Sequence, residues 1–244
     1  HGMKKAPWMV WLLVCLLALS ALATPPAGTA PIVGGRNIFI YGGSCKGKWL
    51  DTETVVPMLI GGERYRLYSA TRFLGIGTGS AAQEDGGTSP FIELTLPIGV
   101  KHSEVVVGVG GAWNALPRVP KVQDPSQKAY QDVVRELLTR KGLPGVPVNI
   151  TKLWRIDIEG DGTDEVLIEA VTPRKDFGRE KPYKRGDYST VLLRKVVNGN
   201  ARTIPVALSY YTHDAPPDVA WEGMPLIHTL KGAFDLNGDG KIER

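Results

Sequence analysis

The chain has 244 residues, of which 43% are apolar and 22% charged, a composition that places it among globular proteins. That length suffices for one domain of ordinary size or two small ones. The formal charge is +4 at pH 7, and loss of an amino-terminal segment holding Lys4 and Lys5 lowers it by two. A chain so close to neutral has no long-range field to draw in nucleic acid.

Residues 1–23 carry the features of a secretory signal peptide: Lys4 and Lys5, an apolar run over 8–19, then the small-x-small site Ala21-Leu22-Ala23. A single-pass anchor is the competing reading, but the run is shorter than the ~20 residues that span a bilayer. No membrane span is expected after cleavage, and the mature protein is expected to be secreted, periplasmic or on the cell surface. Val14 is too large for the position before a lipid-modified Cys15. Met3 reads as the natural start, so His1 takes no part in any metal argument. Cleavage removes Cys15 and leaves Cys45 alone, which precludes an internal disulfide. Cys45 is then either a small buried hydrophobe or a free thiol, and no local pattern activates it.

Residues 24–35 are rich in Pro, Gly and Ala and are expected to form a flexible leader. A β-rich region is expected over 36–147, with strands at 37–41, 64–70, 91–96 and 104–109, each short, β-branched or aromatic and bounded by Gly, Pro or Ser. The Gly- and Ser-rich stretch 75–90 reads as a long loop, most simply a disordered one. Residues 126–141 read as one amphipathic helix, because Ala129, Tyr130, Val133, Val134, Leu137 and Leu138 fall on one stripe. Asp124 is placed to cap it, Pro125 suits the first turn, and Gly142 ends it.

The strand expected at 148–158 leads into D-I-E-G-D-G-T-D-E, residues 157–165, and a strand at 166–171 follows. Asn198-Gly199, between apolar runs 188–197 and 201–211, is a hairpin signal; Pro205 in the second arm demands an edge or a bulge. A further strand at 225–235 is expected to lead into D-L-N-G-D-G-K-I-E, residues 235–243. In the first loop oxygen ligands recur at alternate positions: Asp157, Glu159, Asp161, the Thr163 carbonyl and Glu165. Gly160 and Gly162 let the backbone wrap a hard cation. Two copies of one nine-residue pattern make chance a poor explanation.

Both stretches resemble the D-x-D/N-x-D-G-x-x-D/E calcium loop of FG-GAP and VCBS-type repeats, found in integrin-like β-propellers and many exported bacterial proteins. The resemblance covers about 152–244. It implies a loop joining two strands that binds Ca²⁺ through side chains at positions one, three, five and nine and a carbonyl at seven. The implied ligands are Asp157, Glu159, Asp161, Thr163 and Glu165, then Asp235, Asn237, Asp239, Lys241 and Glu243. Glu159 departs from the usual Asp or Asn, and the Phe-Gly and Gly-Ala-Pro elements of the family are not evident. An EF-hand is the nearest look-alike, but its twelfth position needs an acid and here is Ile168. Residues 148–244 therefore read as a calcium-loop β region like a propeller blade. Its last strand is expected beyond Arg244, because the first loop is followed at once by a strand.

Chemistry is harder to find. Besides His1 the histidines are His102, His213 and His228, without a paired metal spacing, and no serine lies in a G-x-S-x-G elbow. Gly108-Val109-Gly110-Gly111 fails as a dinucleotide fingerprint, since Trp113 stands where its third glycine would fall. The basic stretch 173–185 reads as a solvated connection, with only Phe177 and Tyr183 to stack on a base. The expected class is mainly β (α+β overall), with short antiparallel strands and one amphipathic helix. The expected function is a calcium-stabilised structural or binding module at a surface, with a protein or glycan partner and no nucleic acid. A secreted hydrolase with its active site outside the loops is the alternative.

Overall fold

The computed structural model describes residues 27–84, 89–178, 181–216 and 223–243. The expected signal peptide lies outside the described residues. The fold is mainly β. Seven strands form one antiparallel sheet: β1 (Ala30–Gly34), β2 (Phe39–Cys45), β3 (Lys48–Leu50), β4 (Arg64–Tyr68), β5 (Phe73–Gly79), β6 (Leu94–Thr95) and β7 (Val107–Val109), in the order β3-β2-β1-β7-β4-β5-β6. Five more form the second: β8 (Lys121–Val122), β9 (Ile150–Ile156), β10 (Glu165–Val171), β11 (Tyr188–Val197) and β12 (Asn200–Tyr210), in the order β12-β11-β10-β9-β8. Two short α-helices accompany them among the described residues, α1 (Thr52–Val55) and α2 (Lys128–Arg140). Strands β9 to β12 form an antiparallel meander, but neither sheet is closed or propeller-like.

Strand β1 corrects the expectation of a flexible leader. Its residues A-P-I-V-G are all buried, and it lies between β2 and β7 inside the first sheet. Pro31 fits because its ring packs where Gly110 has no side chain, and its carbonyl accepts the Gly110 N–H at 2.8 Å. Strand β5 likewise occupies the start of the expected loop 75–90. Its glycines are contact points rather than hinges: a Cβ on Gly77 would stand 2.9 Å from Leu67, and one on Gly79 2.7 Å from Tyr65.

In the second sheet β10 is buried on both faces, whereas β9 buries Leu153, Trp154 and Ile156 and leaves Thr151 and Arg155 exposed. Leu153 and Ile168 pack against Val134, Leu137 and Leu138 of α2. Trp154 and Leu167 point the other way, into a cluster with Ile158, Leu230, Ala233 and Ile242. The β11–β12 hairpin turns through Asn198 and Gly199 at φ 51° and 75°, and the register shifts opposite Pro205 on the edge strand, as expected. Asp124 does not cap α2; its carboxylate accepts from Ser126 N–H at 2.8 Å, and the helix starts after Gln127.

The expected strand at 225–235 is not formed. The segment runs extended without a ladder, held by side chains. Buried Glu169 accepts the Leu230 N–H at 2.6 Å, and Lys152 Nζ donates to the Leu230 carbonyl at 2.9 Å. Phe234 then joins Ile32, Tyr68 and Val109 of the first sheet, whereas Leu230 and Ile242 join the second. The carboxyl-terminal segment therefore packs against both sheets. Among the described residues no helix is long and apolar enough to cross a membrane.

Candidate metal centre

The first acidic loop is the β9–β10 connection, and the second ends the extended segment. They share one backbone scaffold. Glycines at positions four and six take left-handed conformations in both, with Gly160 and Gly162 at φ 74° and 87° and Gly238 and Gly240 at 81° and 83°. The position-one carboxylate gathers the N–H groups of those glycines: Asp157 accepts from Gly160 at 2.7 Å and Gly162 at 2.9 Å, Asp235 from Gly238 at 2.6 Å and Gly240 at 2.8 Å. Position five accepts from position seven, Thr163 N–H to Asp161 and Lys241 N–H to Asp239, each at 2.8 Å. Position nine accepts from position two, Ile158 N–H to Glu165 at 2.8 Å and Leu236 N–H to Glu243. Two segments distant in sequence thus fold alike because the same residue types recur at the same spacing.

The loops lie side by side. Ile242 N–H donates to the Ile158 carbonyl at 3.0 Å. The Arg118 guanidinium serves both, donating to the Asp157 carbonyl, to Ile158 O at 3.2 Å and to Gly240 O at 2.8 Å. The second loop also rests on β2 and on the stretch after β7: Ser44 Oγ donates to the Asn237 carbonyl at 3.3 Å and Trp113 Nε1 to the Asp235 carbonyl at 2.8 Å. A cavity of about 430 Å³ opens there, lined by Ser44, Lys46, Trp113, Asn237 and Asp239. Neither Arg118 nor Trp113 had a sequence signal, since each acts through backbone carbonyls far along the chain.

The side chains diverge. Carboxylate oxygens of Asp235, Asp239 and Glu243 come within 4.8 Å of one another, the one such acidic group among the described residues. Desolvation, with Asp235 and Asp239 nearby, pushes the Glu243 carboxyl above its ordinary value, although the Leu236 N–H opposes this. Asn237 Oδ1 accepts the Asp239 N–H at 2.9 Å. In the first loop Asp157, Asp161 and Glu165 are bonded to the backbone but not gathered into such a group. Desolvation acts to raise Asp157, but the Gly162, Gly160 and Asp161 N–H groups and Arg118 outweigh it and hold the carboxyl below its ordinary value. Glu159 pairs with Lys195, with Nζ at 2.5 Å. Ile168 lies buried in β10, consistent with the rejection of an EF-hand.

Elsewhere, Cys45 is buried in β2. A second cleft, of about 810 Å³, lies between the sheets and is lined in part by Tyr41, Val106, Val191, His228 and Phe234. Beside it Ser209 Oγ stands 2.8 Å from His228 Nε2, a pairing between β12 and the extended segment that spacing could not reveal. Among the described residues no carboxylate bonds the other His228 ring nitrogen, and Ser189 holds the His228 backbone. Comparison with known proteins finds no family model, no curated protein and no solved structure that matches this chain.

Proposed function

We propose that this chain is an exported, calcium-stabilised binding module, working in secreted, periplasmic or surface-attached form, whose ion site is the loop 235–243. One observation carries the reading: three carboxylates, Asp235, Asp239 and Glu243, converge on one point, and among the described residues no Lys or Arg is paired with any of them. Like charges this close repel, and a hard dication with oxygen preference is what relieves them. Asn237 adds an amide oxygen beside them. Bound Ca²⁺ would supply charge neutralisation and cross-linking of the loop, and no bond is made or broken. Its effect on the fold follows from where the loop sits. The segment 223–243 has no ladder of its own, so fixing its end fixes the packing between the sheets.

The affiliation with FG-GAP and VCBS-type repeats belongs to the same proposal, supported by the duplicated loop scaffold. A protein or glycan partner would meet the cavity beside Lys46, Trp113 and Asp239, where an aromatic face and polar groups adjoin the ion site. Terbium tests the site directly. The indole of Trp113 lies against Gly238, so a lanthanide bound in this loop should show emission excited through that ring. Emission should vanish in Asp239→Asn and fall sharply in Trp113→Phe. Equal emission from the Asp239→Asn protein would reject the assignment. A hydrolase is the second reading, favoured only by the Ser209–His228 pair; ester turnover abolished by Ser209→Ala would be needed to sustain it.

A further inference from the structure

The two loops share a backbone but not their counter-charges. Around loop 157–165 the protein supplies its own cations. Lys195, on β11, pairs with Glu159 at position three and is only 14% exposed at its side chain. Arg118 donates to the Asp157 and Ile158 carbonyls, and its guanidinium lies 3.2 Å from where a Cβ on Gly160 would be. Asp164, at position eight, is paired with Lys121 at 3.1 Å and Arg155 at 3.6 Å. Around loop 235–243 no such pairing exists among the described residues, and Arg118 touches it only through the Gly240 carbonyl.

We propose that Lys195, assisted by Arg118, is the resident counter-cation of loop 157–165, so that this loop keeps its shape without a metal ion and loop 235–243 alone takes one. This deepens the proposed function and rests on its reading of the second loop. Three features set loop 157–165 against an ion. A calcium loop needs its position-three oxygen for the ion, and the Glu159 carboxylate is already paired with Lys195. An ammonium beside the loop repels an arriving dication, the more so because the Lys195 side chain is largely covered. Finally, Asp157 accepts the Asp161 N–H at 3.1 Å in addition to those of Gly160 and Gly162, whereas among the described residues its counterpart Asp235 accepts only the two glycine N–H groups. The unusual glutamate at position three thereby gains a reason. Its additional methylene extends the carboxylate toward β11, and Asp or Asn at that position would be shorter by that methylene.

Calcium stoichiometry of the full chain, read by native mass spectrometry and calorimetry, tests this. Wild type should bind one ion, Asp239→Asn none, and Lys195→Met two, with Lys195→Arg restored to one. Glu159→Asp breaks the pair without altering β11 and should also bind two, which guards against misfolding of the Lys195 variants; melting in EDTA checks that each is folded. Two ions in wild type, or one ion that survives Asp239→Asn, would overturn the inference while leaving calcium binding intact. Folded Lys195→Met and Glu159→Asp proteins that gain no ion would also overturn it. No ion in wild type but one in Lys195→Met would sustain Lys195 as gatekeeper and reject the second loop as the site. No ion in any of the proteins would reject both.

Discussion

The backbone N–H of Ile242 donates to the carbonyl of Ile158 at 3.0 Å, so the end of one acidic loop is fixed to the start of the other. Both isoleucines are buried in the same cluster with Trp154 and Leu230. The two loops therefore share a core as well as a backbone hydrogen bond. The loops are also where the second sheet meets the carboxyl-terminal segment, so their stability should govern that contact.

Arg118 is the side-chain counterpart of that bond. Arg118→Met keeps the stem but leaves carbonyls of Asp157, Ile158 and Gly240 without their charged donor. The expected loss is about 1.5–3 kcal/mol, measured by denaturant unfolding in EDTA. Arg118→Lys should recover only part of it, because an ammonium cannot present the planar fork. Full recovery by lysine would mean that charge alone matters there.

Glu169 should be more costly to remove. It is buried, and its carboxylate accepts from Thr151 Oγ1 at 2.6 Å, Lys152 Nζ at 3.0 Å and Leu230 N–H at 2.6 Å. Glu169→Ala strands a partly buried ammonium and an amide, a loss of about 2–4 kcal/mol. Hydrogen exchange at Leu230 should accelerate more than exchange in β11, since only the former depends on this side chain. Uniform acceleration across both would show that the carboxylate supports the sheet in general.

The second sheet was largely legible in the sequence, because its signals are local. Asn198-Gly199 fixes a turn by backbone conformation, and the acidic loop lies directly between two apolar runs. Strand β1 was not legible: Pro31 and Gly34 resemble a linker, and its burial is decided by partners at 39–44 and 107–109. Strand β5 was hidden by glycines that serve close packing. At the candidate centre the spacing of Asp235, Asp239 and Glu243 was readable, whereas the Glu159–Lys195 pair spans 36 residues and belongs to sheet geometry. By composition the first copy carries the greater negative charge, since Asn237 stands in the second where Glu159 stands in the first. The neighbouring cations reverse that order.

Acid sensitivity offers a test in the connections of the first sheet. The Lys101 N–H holds the Glu104 carboxyl below its ordinary value against partial desolvation, with help from Arg72. A carboxyl depressed in the folded state contributes stability above its unfolded value and loses it as pH falls through the folded one. Glu104→Gln should therefore flatten the stability profile in that acid range and leave the slope near neutrality unchanged. An identical acid limb in the variant would contradict this role.

The central claim, that loop 235–243 holds a calcium ion which stabilises the fold, is tested most directly by melting temperature against calcium concentration for wild type and Asp239→Asn. Extracellular calcium modules bind at ~10⁻⁴–10⁻³ M, and calcium at tenfold the dissociation constant adds about 1.4 kcal/mol. The account predicts a saturable rise in Tm for wild type, reversed by EDTA and absent from Asp239→Asn. A wild-type Tm indifferent to calcium, or an Asp239→Asn protein with the full rise, would contradict it.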